Sequence, residues 1–507
     1  MSASTTAASV ARADDKPYFI SRGERIEVVL HQLDEARSPF ASFGMARGAR
    51  TPAGASPQSA ASVRSALGAA DYRFRSAVEQ PSHLARVELK GARVARFGRV
   101  AMTLATDMII LEGVHQGDLE FAKSEGAVVV NEGSDGKVLL RAENGPAHVF
   151  SLVSKLSARP IGAVSPNFLR VVSKQTGQAP HPSWAHAKIG IAAAWQLSKG
   201  SPDIRIALLD EGVDTDHPAL QPAVVGQRDF VGGTGDSALP SGNDAHGTAC
   251  AGIIVSRDRT YVGIAPKCSL LAARIAMDDG SGHWMFDDWA AAEGIDWAWR
   301  EGADILSNSW GGGPPSDAIS RAFGRARTEG RKGKGAVVVI AAGNNELTIG
   351  FPGDLPGYLT VGASTPKDER KTMKSSDKEN WWGSNYGPTL SLLAPGVFIR
   401  TCDIHGPAGY SPNDFTDTFN GTSAATPHVA AAAALMLSVN SDLSGAKVME
   451  IIQSTAKPLP KQKGRTDENG WGRLDVAAAV KAALPAQRAK APTKSGTRKT
   501  KPVRRTA

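Results

Sequence analysis

The stretch FNGTSAATPHVAAAAALML, residues 419–437, places a Gly-Thr-Ser turn directly before an alanine-rich segment with the composition of a helix. Ser423 lies in that turn, at the predicted amino end of the helix. The apolar run around 429–439 is the longest candidate in the chain and stays short of the ~18 residues that a membrane helix needs. The stretch therefore predicts a helix of a soluble domain, with a hydroxyl group at its start.

Short apolar runs alternate with helical periodicity from 184 to 485. The candidate strands are DIRIALLD (203–210), YVGIAP (261–266), SLLAARI (269–275), ADILSNS (303–309), GAVVVIAAG (335–343), YLTVGAS (358–364) and LSLLAPG (390–396). The segments 286–302 and 316–335 predict amphipathic helices. Continuous apolar strands are typical of a parallel sheet covered by helices on both faces. We therefore expect an α/β domain whose chemistry lies at the carboxyl ends of its strands.

Four further regions are predicted around this domain. Residues 101–175 alternate strand and helix patterns and predict a small α+β domain, with a linker at 174–182. Residues 1–18 are expected to be disordered, and 19–100 have no assigned role, although 19–33 has the pattern of a strand. Residues 486–507 are expected to form a disordered basic tail.

The net charge of +8 over 507 residues belongs to that tail, which holds eight basic residues and no acid. Residues 1–175 have 22 basic against 17 acidic residues, and 176–485 have 28 against 33. Because the tail has no aromatic residue and the rest of the chain is neutral, we expect only nonspecific, salt-sensitive contact with nucleic acid.

The three cysteines, at 250, 268 and 402, form no CxxC pair, so neither a zinc framework nor a disulfide scaffold is predicted. The first 30 residues have no apolar core of an export signal. A cytoplasmic location without membrane contact is the expectation.

An acid, a base and a nucleophile lie at the ends of predicted elements. Asp210 ends DIRIALLD, His246 stands before an apolar helical run, and Ser423 opens the helix quoted above. A hydroxyl nucleophile needs an imidazole to accept its proton and a carboxylate to orient that imidazole. Asn344, in VVVIAAGNN, offers an amide donor for a developing oxyanion.

These segments resemble the subtilisin-like serine proteases, the subtilase family, over roughly 184–480. The motifs DxG, HGTxxAG, AAGN and GTSxATPHVA occur in the family's order, with separations of 36 residues from Asp210 to His246 and 177 from His246 to Ser423. The resemblance implies a three-layer domain and a serine endopeptidase that acts through an acyl-enzyme.

The resemblance also implies a cleft in which two edges bind the substrate backbone. Those edges are Ser309, Trp310 and Gly311 on one side and Gly280, Ser281 and Gly282 on the other. Gly350 aligns with the floor of the primary pocket, which leaves space for a large apolar or aromatic side chain before the scissile bond.

Three positions differ from those of the secreted subtilisins, and a fourth, Cys250, is shared with one group of the family. Ala424 replaces a common Met and Glu211 replaces a small residue. Ala219 stands where a carboxylate binds structural calcium, and the loop SRDRTYVG is short, so that first calcium site is expected to be absent. Structural calcium at other sites is left open, and no other cofactor is predicted. Cys250 matches a cysteine of proteinase K-like members, and we expect thiol reagents to perturb activity.

Residues 101–175 resemble the family's inhibitory prosegment, with SPNFLRVVS at 165–173 as its last strand. The charge difference between the two parts favours their docking. We expect self-cleavage between about Val171 and His186. The alternatives are a peptide-maturation protease with one partner substrate and a non-catalytic binding protein that keeps the fold.

Overall fold

The computed structural model describes residues 18–21, 24–31, 84–90, 101–173, 184–232, 235, 237–278 and 283–485. The disorder predicted for 1–18 and for the tail 486–507, and the linker at 174–182, lie outside these residues, apart from Tyr18.

A seven-stranded parallel sheet forms the centre of the larger domain. Its strands are β8 (Arg205–Asp210), β9 (Val224–Asp229), β10 (Ser269–Arg274), β13 (Ile305–Asn308), β14 (Val337–Ala341), β15 (Leu359–Ser364) and β16 (Leu390–Pro395). The order across the sheet is β16-β15-β14-β13-β8-β10-β9, and every neighbouring pair is parallel. The predicted parallel sheet is therefore confirmed.

Helices cover both faces of this sheet. They are α3 (Trp184–Lys188), α4 (Ile191–Ala194), α5 (His246–Val255), α6 (Asp288–Arg300), α7 (Asp317–Thr328), α8 (Thr422–Val439), α9 (Gly445–Thr455) and α10 (Val476–Ala483). Ile206 and Leu208 of β8 pack in one core with α5, α8 and α10, whereas Ala207 and Leu209 pack in a second core with α6 and α7. Successive side chains of a strand point to opposite faces, so the domain has three layers.

The central helix α8 is almost entirely buried. It is the one helix in the described part of the chain with the length and apolar composition of a membrane span, and 89% of it is buried inside the fold. Its alanines allow close packing against the sheet and against α5, so its apolar composition is that of a core helix.

The predicted strand YVGIAP is wrong. The backbone N–H groups of Ile264 and Ala265 bind the carbonyl oxygens of Ile253 and Ile254 at the end of α5, at 2.9 and 2.8 Å. The segment is apolar because Ile264 and Ala265 are buried there, and its hydrogen bonds go to a helix end instead of a neighbouring strand.

An antiparallel sheet forms the N-terminal part of the structure. Its members are β1 (Tyr18–Ser21), β2 (Glu24–His31), β3 (Leu84–Lys90), β4 (Ala101–Glu112), β5 (Ala127–Glu132), β6 (Val138–Ala142) and β7 (Ala163–Ser173), with β11 (Met277–Asp278) and β12 (His283–Asp287) of the larger domain at one edge. Helices α1 (Gln116–Ser124) and α2 (Pro146–Ser157) accompany it. The strand and helix pattern predicted for 101–175 matches these elements.

A domain boundary at residue 100 does not fit this sheet. β3 pairs with β4 from Leu84–Thr106 to Leu89–Ala101, and β1 and β2 continue the same sheet. Phe19 is buried in one core with Phe150 of α2. The described strands within 19–100 therefore belong to the same unit as 101–173, which we call the N-terminal domain (18–173).

The loop between β17 (Ile399–Cys402) and β18 (Phe415–Phe419) lies near the start of α8. These two strands form a separate antiparallel pair. Phe419, the last residue of β18, stands two residues before Gly421 and therefore links this hairpin to the start of α8.

Candidate active site

The end of β8 and the start of α5 bring a carboxylate and an imidazole together. Asp210 is the last residue of β8 and His246 is the first of α5. His246 Nδ1 lies 2.8 Å from Asp210 Oδ1, and both side chains are buried. Gly247 permits this approach, because a Cβ atom there would lie 2.0 Å from the carbonyl oxygen of Gly212. Since a carboxylate only accepts hydrogen bonds, Nδ1 carries the proton and Nε2 is left as the basic nitrogen.

Glu211 also holds His246 in place. Its Oε1 accepts a hydrogen bond from the backbone N–H of His246 at 2.8 Å, and its side chain is fully buried. This N–H lies in the first turn of α5, where the side chain of Ala245 cannot cap the helix. A carboxylate at this end of a helix also interacts favourably with the helix dipole. The sequence carries only one signal of this role, the departure from a small residue at 211.

Ser423 lies in the first turn of α8. The helix begins after Gly421, whose φ of 113° lies in the left-handed region that favours glycine. Ser423 Oγ donates a hydrogen bond to the main-chain oxygen of Ser309 at 3.2 Å. The first backbone N–H groups of a helix have no acceptor within the helix. The hydroxyl and an amide that can bind an anion therefore lie at the same helix end.

Asn344 is bound to the start of α8 through its amide oxygen. Oδ1 accepts from the backbone N–H of Thr422 at 2.8 Å and from its Oγ1 at 2.9 Å. The amide nitrogen lies beside Gly421, 3.4 Å from where a Cβ atom would stand. Because the oxygen is occupied by these two donors, the NH₂ group is the end of the side chain that can donate to a ligand.

Cys250 lies next to both His246 and Ser423. Its Sγ is 4.0 Å from His246 Nδ1 and donates toward the main-chain oxygen of Ser423 at 3.6 Å. Burial, together with the charge of Asp210, raises the pKa of the Cys250 thiol well above its usual value. The thiol is therefore protonated at neutral pH and is a poor nucleophile.

Asp210, His246 and Cys250 also form a group of possible metal ligands. One ligand atom of each lies within 4.8 Å of the others. Calcium prefers six to eight oxygen ligands, and this group offers a carboxylate, a nitrogen and a sulfur. The group does not fit calcium, and the expectation for Ala219 stays a prediction.

The predicted edge at 309–311 borders the nucleophile. Ser309 bonds to Ser423 in both directions, because its Oγ also donates to Ser423 O at 3.0 Å. The Trp310 side chain is buried against Phe286, with ring centroids 5.1 Å apart, so only its backbone is available to a substrate. Gly311 lies against Phe351, whose main-chain oxygen would be 3.3 Å from a Cβ atom.

The second predicted edge, Gly280, Ser281 and Gly282, lies outside the described residues. Gly350 is described, and apart from residues 349–351 no atom lies within 4 Å of a Cβ atom built on it. Its role as the floor of the primary pocket stays a prediction.

The sequence analysis missed an acidic loop behind His246. Asp403 is buried and accepts backbone hydrogen bonds from Ile404 and Tyr410 at 2.9 and 2.8 Å. Burial raises the pKa of the Asp403 carboxyl to about 7. Tyr410 packs on Phe419, and Phe419 packs edge-on against His246, with centroid distances of 5.4 and 5.5 Å. The loop is therefore in contact with the imidazole through two aromatic rings.

Comparisons with known proteins identify the family of the chain. The sequence model of the Subtilase family matches residues 201–472. Subtilisin DY of Bacillus licheniformis is 34% identical over 285 residues, which are 55% of this chain and 91% of that protein. Thermitase of Thermoactinomyces vulgaris is 34% identical over 275 residues, which are 54% of this chain and 87% of that protein.

The solved structure of fervidolysin from Fervidobacterium pennivorans, a keratinolytic enzyme related to subtilisin, has a similar fold. The TM-score is 0.61 at 22% identity, over 75% of this chain and 62% of that chain. The family match covers more than half of the 507 residues, and its segment contains Asp210, His246 and Ser423. The chain therefore belongs to the Subtilase family and is a serine endopeptidase.

Proposed function

We propose that Ser423 is the nucleophile, His246 the general base and Asp210 the residue that orients and stabilises the imidazolium. The observation that carries this assignment is the 2.8 Å bond between His246 Nδ1 and Asp210 Oδ1, next to a serine at the start of α8. The bond leaves Nε2 to accept the proton of the Ser423 hydroxyl.

The reaction follows from these positions. Ser423 Oγ attacks the carbonyl carbon of the scissile peptide bond while its proton passes to His246 Nε2. The backbone N–H of Ser423 and the NH₂ group of Asn344 stabilise the oxyanion that forms. His246 then donates its proton to the leaving amine, the peptide C–N bond breaks, and an acyl-enzyme remains. Water, deprotonated by His246, then attacks the acyl carbon, the ester bond to Ser423 Oγ breaks, and His246 returns the proton to Oγ as the acid product leaves.

Labelling with a fluorophosphonate, which reacts with activated serines, tests this assignment. The wild-type chain should be labelled and should hydrolyse a denatured protein, and Ser423→Ala should do neither. A fold-retaining binding protein without activity would leave the wild type unlabelled.

The substrate cleft is proposed to run along Ser309, Trp310 and Gly311, with Gly350 at the floor of the primary pocket. The open space at Gly350 supports a large apolar or aromatic residue before the scissile bond. Cleavage profiling checks this preference, and a strict requirement for a basic residue at that position would contradict it.

The N-terminal domain (18–173) is proposed to be an inhibitory segment that the enzyme removes by cleavage between about Val171 and His186. Its strand β7 pairs with β12 of the larger domain, from Leu169–Asp287 to Ser173–His283. Asn167 Nδ2 donates to Asp287 Oδ2, the N-cap residue of α6, at 3.2 Å. The domain is thus held at the start of α6, directly before the segment that would be cut.

Buried and half-buried ion pairs support this docking. Lys137 is fully buried and pairs with Asp296 and Glu293 of α6, whereas Glu112 pairs with Arg325 of α7. The intact masses of wild type and Ser423→Ala test self-cleavage. A shorter wild-type chain beside a full-length variant is expected, and two full-length chains would contradict it.

The expected cytoplasmic location remains a proposal. Fractionation of producing cells tests it, and recovery of the protein in the medium would contradict it.

A further inference from the structure

Arg170 of β7 inserts its side chain into a pocket of the larger domain. Its Nε donates to Asp288 Oδ1 at 2.5 Å, Nη1 to the main-chain oxygen of Gly312 at 2.5 Å, and Nη2 to that of Pro314 at 2.9 Å. The guanidinium carbon lies 5.1 Å from the ring centre of Phe351 and 5.9 Å from that of Phe286. The guanidinium group is therefore bound on several sides.

Every group that binds it belongs to the larger domain. We call this set the guanidinium pocket: the Asp288 carboxylate, the main-chain oxygens of Gly312 and Pro314, and the rings of Phe286 and Phe351. The pocket suits a planar guanidinium, because it offers three hydrogen-bond acceptors for the N–H groups and aromatic faces on which the guanidinium plane can stack.

A single buried carboxylate gives the guanidinium pocket its negative charge. Asp288 is the first residue of α6 and is fully buried. Burial raises the pKa of its carboxyl, and the Arg170 guanidinium opposes this rise. A buried carboxylate that loses its counter-ion is strongly destabilised, so another cation is favoured in its place.

The pocket also continues the proposed substrate cleft. Gly312 and Pro314 follow the edge at 309–311, and Phe351 follows Gly350. Arg170 itself directly precedes the interval from about Val171 to His186, in which the proposed self-cleavage falls. A polypeptide that runs in the same direction would place a side chain in this pocket on the amino-terminal side of its scissile bond.

We propose that the guanidinium pocket is a substrate subsite, and that the processed enzyme selects polypeptides with an arginine several residues before the scissile bond. Before processing, Arg170 of the N-terminal domain then occupies the subsite that binds the arginine of a substrate. The proposal rests on the proposed function and adds a substrate class to it. Lysine binds less well, because one ammonium group cannot make the same fork of hydrogen bonds and stack on the rings.

A positional scan of fluorogenic peptides tests the proposal on the enzyme that the full chain produces. A large apolar residue is fixed before the scissile bond, and arginine, lysine, citrulline or norleucine is placed in turn at each upstream position. Citrulline has the shape of arginine without its charge. At one position, arginine should raise kcat/KM about 10-fold or more over citrulline, with lysine between them.

The same scan is run on the enzyme that the full-length Arg170→Gln chain produces. In this variant the pocket contains no guanidinium of its own, so a residual N-terminal domain cannot compete with the substrate through Arg170. Equal kcat/KM for arginine and citrulline at every position in both proteins would overturn the proposal.

Asp288→Asn should abolish the arginine preference. Glu293→Gln is the matched control, because it removes a carboxylate of the same helix that binds Lys137 and Ser134 of the N-terminal domain. This control should keep the preference, and a preference that survives Asp288→Asn would contradict the pocket.

Fluorophosphonate labelling of Ser423 is measured in every variant. Labelling without an arginine preference refutes the subsite alone, whereas wild-type protein that is not labelled refutes the proposed function.

Discussion

Replacement of Asn344 by alanine should separate catalysis from stability at the start of α8. The side chain has two roles in the structure. Its Oδ1 accepts two hydrogen bonds from Thr422, at 2.8 and 2.9 Å, and its NH₂ group is proposed to donate to the oxyanion. Asn344→Ala removes both roles at once.

The loss of the hydrogen bonds to Thr422 is measured by the free energy of unfolding, and the loss of the oxyanion donor is measured by kcat. The two losses also differ in size. Two ordinary hydrogen bonds contribute together about 1–3 kcal/mol to the free energy of unfolding. Loss of one oxyanion donor costs about 2.7–4 kcal/mol of transition-state stabilisation, a figure known from a subtilisin, which corresponds to about 100–1000-fold in kcat. KM should change little, because the donor acts mainly in the transition state.

Thr422→Val is the matched control. It removes the hydroxyl that binds Asn344 Oδ1 and that accepts from the backbone N–H of Gly343 at 3.1 Å, and it keeps the shape of the side chain. This variant should lose stability comparable to Asn344→Ala but should keep kcat within about 10-fold, because the amide donor is intact.

The assay is kcat and KM on a chromogenic peptide, with the active-enzyme concentration fixed by titration with a serine reagent, together with urea unfolding of each variant. An equal fall of kcat in both variants would show that Asn344 acts only by holding α8. A kcat of Asn344→Ala within about threefold of the wild type would refute the donor role altogether.

Three further predictions concern groups around His246. Glu211→Ala should lower the free energy of unfolding by about 1.5–3 kcal/mol, the range for a hydrogen bond to a charged group. It should also lower the apparent pKa in the pH profile of kcat/KM, because a buried anion near the imidazolium is removed. If this apparent pKa is unchanged in both Glu211→Ala and Glu211→Gln, Glu211 does not act on His246. Cys250 should react slowly with iodoacetamide because its thiol pKa is raised, while a small mercurial should inhibit the enzyme. Equal mercurial sensitivity of Cys250→Ala would exclude this cysteine as the target. Asp403 has a folded pKa of about 7 against an ordinary value of 3.8, so the wild type loses stability as the pH rises between these values. Asp403→Asn lacks this loss, and its stability relative to the wild type in urea unfolding should increase from pH 5 to pH 8; a difference independent of pH would show that the carboxyl titrates normally.

The sequence predicts the part of the site that depends on sheet topology. Asp210 ends β8 and the serine edge at 309–311 follows β13. Because β8 and β13 are neighbouring parallel strands, the strand pattern places both at the same end of the sheet. The order of the motifs then places His246 and Ser423 at helix starts beside them. In the structure, His246 Nδ1 lies 2.8 Å from Asp210 Oδ1, and Ser423 Oγ lies 3.2 Å from the main-chain oxygen of Ser309.

Contacts made by a side chain with a distant segment cannot be predicted in this way. Glu211 binds a backbone amide 35 residues away, and Arg170 binds carbonyl oxygens more than 140 residues away. Neither residue belongs to a periodic pattern that would show its partner. The boundary at residue 100 failed for a related reason, because the pairing of β3 with β4 spans a segment without a strand pattern of its own.

The net charges of the N-terminal part and the larger part predict that the two attract each other, but not how they are positioned. A basic N-terminal part and an acidic larger part would attract each other in many orientations, and screening would weaken that attraction at physiological salt. In the structure, Lys137 and Arg170 bind acids of α6, but Glu112 binds Arg325 of α7 with the opposite polarity. Charges that alternate in sign across an interface disfavour every shifted arrangement, because a shift brings like charges together. The pattern of individual ion pairs therefore favours the docking of β7 beside β12, together with the strand pairing itself, and Arg170 is part of that pattern.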